Sequence, residues 1–301
     1  MFDPRLRGYL RLLVPTSCHT PANGLVHHVL RWEEAREARG VVFLLHGYMD
    51  AAGTWDLVAP TLADAGYRVF APDMRGFGAG ARVSAGGYYH FADYVLDVAD
   101  LTQALAGSAP LFVVGHSMGG TVTTLFGGAF PERPRAIAVL EGVGPPETPA
   151  EFTPLRMRRW IEDVRRVRAG DPKPLSRADA LARLAMNHPR VGPETLATRL
   201  EHLVRDVEGG VAWRYDPLHK TTSPVAFSAA VYREFAKRVS CPVLFVSGGA
   251  TGFHPEDEEE RLACFARLTR LTLPDAGHML HWTRPVDLAV GLLDFLRGCA
   301  P

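Results

Sequence analysis

Leu111-Phe112-Val113-Val114-Gly115-His116-Ser117-Met118-Gly119 decides how this chain is read. Four apolar residues run without a break into Gly-x-Ser-x-Gly, and a helical stretch from Met118 to Phe130 follows. An uninterrupted apolar run of this length fits a strand buried on both faces. A serine between two glycines after such a strand predicts a sharp strand-to-helix turn that presents the hydroxyl beyond the strand end. The glycines have a physical reason, because backbone segments crowd together at the turn and the dihedrals there tend to be unusual. The pentapeptide alone arises by chance in many chains, and its context gives it weight.

The pattern extends in both directions. Val41 to Leu45 is a second apolar run, ending in His46-Gly47, and a helix is expected from about Thr54 to Ala65. Tyr67 to Ala71 ends at Pro72-Asp73 and opens the glycine-rich Arg75-Gly76-Phe77-Gly78; an amphipathic helix spans His90 to Ala106, and Ala136 to Leu140 is another buried strand. Strands alternating with helices predict a mostly parallel α/β sheet covered on both faces. The alternation stops after Leu140. Between 144 and 227 there are proline breaks and helical stretches at 155–168, 177–186 and 193–207, with no convincing strand. It resumes with Val243–Val246, a helix near 256–267, Leu271–Leu273 and a final helix from Pro285 to Leu296. The expectation is one core of residues 1–143 and 228–301 with a helical insertion at 144–227. Near the start, 24–32 reads as a strand, and Arg5, Arg7 and Arg11 among leucines read as a surface helix or an arm.

With 301 residues and 47% hydrophobic composition, the chain can bury a full core without disulfides or metal. Lys+Arg and Asp+Glu are 33 each, so there is no electrostatic footprint for nucleic acid or an anionic membrane. Cys18, Cys241, Cys264 and Cys299 show no metal-type pairing and are expected as reduced thiols. The N-terminal Met-Phe-Asp-Pro-Arg-Leu-Arg places charges where a signal peptide needs an apolar core, and no apolar run reaches membrane-span length; a cytoplasmic protein is expected. Six arginines between Arg156 and Arg168 are expected to be the solvated face of a helix, with Glu162 and Asp163 offsetting part of their charge.

A serine hydroxyl is a poor nucleophile at neutral pH and needs an adjacent base, which in turn needs an orienting partner. His278, in Pro274-Asp275-Ala276-Gly277-His278-Met279, follows the last short strand and precedes the last helix, which places an imidazole over the sheet. His281 is read as its neighbour at the pocket rim.

Taken together, His46-Gly47, Asp73-Met74-Arg75-Gly76-Phe77-Gly78, the Ser117 turn and Gly277-His278 resemble the α/β-hydrolase fold superfamily, as a serine-nucleophile, esterase-type member with a helical cap. The stretch from Gly209 to Pro217 resembles, more weakly, a signature of serine-hydrolase-like members. The resemblance implies an oxyanion hole from the backbone N–H groups of Tyr48 and Met118, with His46 and His116 in structural hydrogen bonds and Asp73 tying down its own loop. It also implies an acid, and here the chain departs from the common pattern. Thr251 stands where an aspartate is expected in Ser247-Gly248-Gly249-Ala250-Thr251-Gly252. Certain relatives take the acid from the strand after the nucleophile helix, which here is Glu141. A carboxylate ending a buried strand is costly without a partner, and His278 would supply one. Asp275, Glu256 and Asp257 are the alternatives.

The expected activity is therefore hydrolysis of an ester, lactone or thioester of a small, largely apolar substrate through an acyl-enzyme on Ser117, without cofactor or metal. Trp160, Trp213 and His281 are candidate substrate contacts, while Trp160, Met157, Trp213 and Phe227 equally fit the insertion's own core. A C–C bond hydrolase is the enzymatic alternative, and a hydrolase-like receptor with little turnover the non-enzymatic one. Aspartate-nucleophile reactions, as in haloalkane dehalogenases and epoxide hydrolases, are disfavoured by Ser117. The expected partner is a small-molecule substrate, not nucleic acid or membrane, and the expected state is a monomer or homodimer.

Overall fold

The strands β3 (Val41–Leu45) and β5 (Leu111–His116) are buried along their whole length, and successive residues feed opposite sides of one sheet. Val41, Phe43 and Leu45, with Leu111 and Val113, enter one apolar layer; Val42 and Leu44, with Phe112 and Val114, enter the other. Both faces must therefore be covered, which is why these strands carry continuous apolar runs rather than alternation. The computed structural model describes residues 13–33, 38–170 and 173–299. The sequence reading of Arg5, Arg7 and Arg11 lies outside them.

The sheet has eight strands in the order β1 (Thr16–Ala22), β2 (Leu25–Trp32), β4 (Arg68–Pro72), β3, β5, β6 (Pro134–Leu140), β9 (Val243–Ser247) and β10 (Leu268–Thr272). The six strands from β4 to β10 pair in parallel, while β1 with β2 and β2 with β4 are antiparallel. Helices α1 (Ala59–Asp64), α2 (Phe91–Ala106), α3 (Met118–Ala129), α7 (Ala229–Arg238), α8 (Glu258–Leu262), α9 (Leu280–Thr283) and α10 (Pro285–Gly298) connect and cover these strands.

Between β6 and α7 lie α4 (Thr153–Ala169), α5 (Arg177–Asn187), α6 (Pro193–Leu203) and an antiparallel ribbon of β7 (Val204–Val207) and β8 (Gly210–Trp213). The ribbon corrects the sequence reading, which continued the third helix to Val207 and found no strand in this stretch. The helix stops at Leu203, and a Glu208-Gly209 turn with Gly209 at φ 82° reverses the chain. Strand β1 was likewise not anticipated, and the acidic helix near 256–267 is only five residues long.

The insertion has an apolar cluster of its own, including Ala180, Leu184, Leu196, Leu200 and Val211, and it buries Ala51, Met279 and Trp282 from the core loops. It is also clamped to the loop after β3. Buried Arg199 on α6 reaches Asp56 through both terminal nitrogens at 2.6 and 2.8 Å and donates to the Thr54 carbonyl at 3.0 Å. The face of α4 that carries the six arginines is solvated as expected: only Val164 is buried on that helix, and Arg158–Glu162 and Arg166–Asp163 are surface pairs.

Candidate active site

Ser117 sits between β5 and α3 with φ 51° and ψ −117°, a conformation that costs a non-glycine residue on the order of 1–3 kcal/mol. Four of the five described non-glycine residues with positive φ are Met49, Ser117, Glu141 and Asp275, all in loops that follow strands on the same end of the sheet as Ser117. The flanking glycines are there for space. A Cβ on Gly115 would overlap the Gly119 carbonyl, and one on Gly119 would overlap the carbonyls of Leu45 and His46.

His278 Nε2 lies 3.0 Å from Ser117 Oγ. On the other side of the ring, Nδ1 is 3.5 Å from Glu141 Oε2. Glu141 follows β6 directly and is 1% exposed. Its carboxylate accepts backbone N–H bonds from Gly248 and Phe253, so both oxygens are held. These donors come from the loop containing Thr251, where the common pattern places an aspartate, and that loop instead cradles a carboxylate delivered from the end of β6. Gly252 is part of the cradle: a Cβ there would lie 2.6 Å from Glu141 Oε2 and 2.7 Å from Cδ. The alternative acids stand elsewhere. Asp275 and Glu256 are exposed, and Asp257 pairs with Arg261 at 2.6 Å.

Met118 opens α3, where backbone N–H groups have no acceptor within the helix. Tyr48 lies on the loop after β3, and its phenol donates to the His219 carbonyl in the segment after β8. Burial pushes that phenol's pKa up to about 12, so it remains a donor. His46 accepts from the Met74 N–H at Nε2 (3.0 Å) and donates from Nδ1 to the Gly47 carbonyl (2.8 Å). Asp73 accepts from His28, Ala52 and Ala79 at 2.7–2.9 Å and so holds the glycine-rich loop.

Of the candidate substrate contacts, His281 is corrected. It is fully buried rather than at a rim, with Nε2 3.0 Å from Asp50 Oδ2 and its ring 4.8 Å from that of Trp55. An imidazole that fills a core position and has a carboxylate to donate to is not free to meet a ligand. Trp160 packs edge-on against Tyr88 at 5.5 Å, and Trp213 stacks on Tyr215 at 5.8 Å against the insertion's cluster. Two large apolar side chains are exposed on loops at this end of the sheet: Tyr48, at 49%, and Phe253, at 38% with its ring 5.7 Å from that of His278. Phe253 was missed because nothing in its local sequence separates it from any other loop aromatic.

Asp50, His116 and His281 bring ligand-type atoms within 4.8 Å of one another, all buried. One nitrogen of each ring is committed to an acceptor within the protein, while Nδ1 of both rings has no hydrogen-bond partner among the described residues. His281 donates to the Asp50 carboxylate, and His116 Nε2 donates to the His278 carbonyl at 2.8 Å. The group is accordingly read as a hydrogen-bonded cluster.

Among the described residues no helix is long and apolar enough to cross a membrane, and all four cysteines are free. Comparison with known proteins agrees with the fold. The family model described as alpha/beta hydrolase fold matches residues 40–285. A serine hydrolase-like protein of Danio rerio is 30% identical over 181 residues, 58% of this chain and 54% of that protein, so the match spans about half of the relative's length. Epoxide hydrolase A of Mycobacterium tuberculosis is 25% identical across 94% of this chain and 98% of its own. The crystal structure of a hypothetical protein from Pseudomonas aeruginosa PAO1 superposes with a TM-score of 0.82 at 25% identity, over 94% of this chain and 99% of that one. With the sheet order, the serine turn and a family match over most of its length, this chain belongs to the α/β-hydrolase fold family.

Proposed function

We propose that the chain is a serine hydrolase that cleaves the acyl bond of a small, largely apolar carboxylic ester, with lactones and thioesters open to the same chemistry. The observation that carries this reading is the Ser117–His278 contact of 3.0 Å, with Glu141 on the far side of the same ring. A carboxylate at Nδ1 selects the tautomer with the proton on Nδ1, which leaves the Nε2 lone pair facing the serine hydroxyl. Ser117 Oγ attacks the acyl carbon while His278 takes its proton, and Glu141 balances the imidazolium. The amides of Tyr48 and Met118 receive the oxyanion; a donor of this kind contributes about 3 kcal/mol in the transition state. His278 then protonates the leaving alcohol and activates water to release the acid from Ser117. Tyr48 and Phe253 give the mouth an apolar lining, and the 144–227 insertion acts as the cap over it. Epoxide opening through an aspartyl ester, the route the family resemblance associates with epoxide hydrolases, lacks its nucleophile here, because Ser117 occupies that turn.

The test is labelling with a fluorophosphonate, followed by peptide mass spectrometry and a panel of short-chain p-nitrophenyl esters. A single adduct on Ser117, absent in Ser117→Ala, with turnover of at least one ester, is the expected result. A folded protein that neither labels nor turns over any ester or lactone would overturn the reading.

A further inference from the structure

The reacting groups leave three buried polar side chains without a chemical task. Asp50, His116 and His281 are 3%, 1% and 0% exposed and lie directly behind the serine turn. Each belongs to a different segment of the site. Asp50 is on the loop of Tyr48, two residues beyond it; His116 ends β5, immediately before Ser117; His281 is on α9, three residues after His278.

Their bonds cross between those segments. His281 Nε2 meets Asp50 Oδ2 at 3.0 Å, while Asp50 Oδ1 takes the Ala51 N–H at 2.8 Å. His116 Nε2 meets the His278 carbonyl at 2.8 Å, and the His116 and His281 rings lie 4.4 Å apart. Burial pushes both imidazoles below their ordinary pKa, so they are neutral. Burial alone would raise the Asp50 carboxyl, but the hydrogen bond from His281 holds it below the ordinary value. The polarity of each bond follows. A carbonyl and a carboxylate only accept, so each neutral ring carries its proton on Nε2.

Buried ion-paired and hydrogen-bonded groups are seldom worth more to stability than well-packed apolar residues of the same volume. Stability is therefore a weak reason for this cluster, and its placement suggests another. We propose that Asp50, His281 and His116 are positioning residues that hold the oxyanion-hole loop, the serine turn and the His278 loop in one frame. The Asp50–His281 bond fixes the Tyr48 amide relative to the His278 segment, and the His116 bond fixes that segment relative to Ser117. Because hydrolysis requires the acyl carbonyl to meet Oγ, Nε2 and both amides at once, small relative drift of these loops lowers the rate without weakening substrate binding. This inference rests on the assignment of Ser117 and His278 as the reacting pair.

The deciding variant is the apolar double replacement Asp50→Leu/His281→Phe, which strands no charge and leaves only the Ala51 N–H without its acceptor. It is expected to remain folded and to melt within about 10 °C of wild type, yet to label Ser117 with a fluorophosphonate about tenfold more slowly, with kcat on an ester reduced alike and KM within about threefold. His281→Gln retains an N–H near the Nε2 position and should recover most of the rate. A double variant that labels and turns over at the wild-type rate overturns the proposal, as does a His281→Gln that is no better than His281→Ala. If the double variant fails to fold, the Gln-against-Ala comparison decides. A wild-type protein that labels but turns over no ester would defeat the proposed substrate class and leave this test intact on the labelling rate. Should it not label either, imidazole nitrogen NMR reads the network directly. Nε2–H tautomers at His116 and His281, with His278 signals that move in Asp50→Ala, support the proposal; His278 signals that do not move refute it.

Discussion

Replacing Glu141 with glutamine removes a charge while keeping the size of the side chain, and the geometry sets the scale of the loss. In the proposed reaction His278 becomes an imidazolium as Ser117 attacks, with Nδ1 3.5 Å from Glu141 Oε2. At an effective dielectric near 20, one pair of unit charges at that separation is worth about 5 kcal/mol, or roughly three and a half decades in rate. The His278 side chain is 36% exposed, so solvent screening trims the figure, and the expected fall in kcat is about 100- to 1,000-fold. KM should change little, because Glu141 is buried and faces the histidine rather than the mouth. Glutamine also meets the Gly248 and Phe253 N–H donors with one oxygen and one NH2 group, so a stability loss of about 1–3 kcal/mol is expected alongside. Steady-state hydrolysis of a p-nitrophenyl ester, measured well below the melting temperature of the variant, gives kcat and KM together. Folded Glu141→Gln within about fivefold of wild type would refute the reasoning. Collapse in Asp275→Asn with Glu141→Gln intact would move the acid to Asp275, whose exposure here leads us to expect no effect.

Four further outcomes are expected from the same structure. Ser117→Ala and His278→Ala should each abolish turnover while remaining folded; Ser117→Gly should melt above Ser117→Ala by the equivalent of about 1 kcal/mol, since only glycine accepts φ 51° without strain. Equal melting temperatures would show that the turn is not strained. Gly252→Ala should lower kcat in the same direction as Glu141→Gln, because its Cβ pushes against the carboxylate; unchanged kinetics would mean the loop yields freely. His219 supplies the pH dependence. Burial lowers its pKa from 6.5 to about 4 in the fold, so the folded state resists the proton. Because the unfolded chain takes up the proton first, the fold loses roughly 3 kcal/mol relative to its stability above pH 6.5 as the pH falls towards 4. Urea unfolding of His219→Gln between pH 7 and 4.5 should show a shallower acid loss than wild type, and a parallel loss would remove His219 as its source.

The sheet was legible because its signals are local. Val41–Leu45, Leu111–Val114 and Ala136–Leu140 are apolar on both faces, and a residue's burial in such a strand follows from its immediate neighbours. The serine turn was legible for a related reason, since glycines at 115 and 119 are demanded by backbone packed within the turn itself. The positions read for Glu141 and His278 came from a family pattern spread along the chain, and the structure places His278 beside Ser117 and Glu141 on the far side of the His278 ring. Elements with mixed composition were not legible. The β7–β8 ribbon places Arg205, Asp206 and Glu208 in and beside short strands, and only the Gly209-Gly210 pair hinted at a reversal.

Sequence alone determined the α/β layering, the serine turn and the order in which the reacting groups appear along the chain, because each is written in local periodicity, glycine placement or motif context. Tertiary structure alone decided what surrounds them. The Thr251 loop closes over a carboxylate from another strand, and His281 turns away from the mouth to meet Asp50, 231 residues distant in the chain. Whether an imidazole faces ligand, water or a buried carboxylate depends on what long-range packing brings against it, and no local pattern of residues records that.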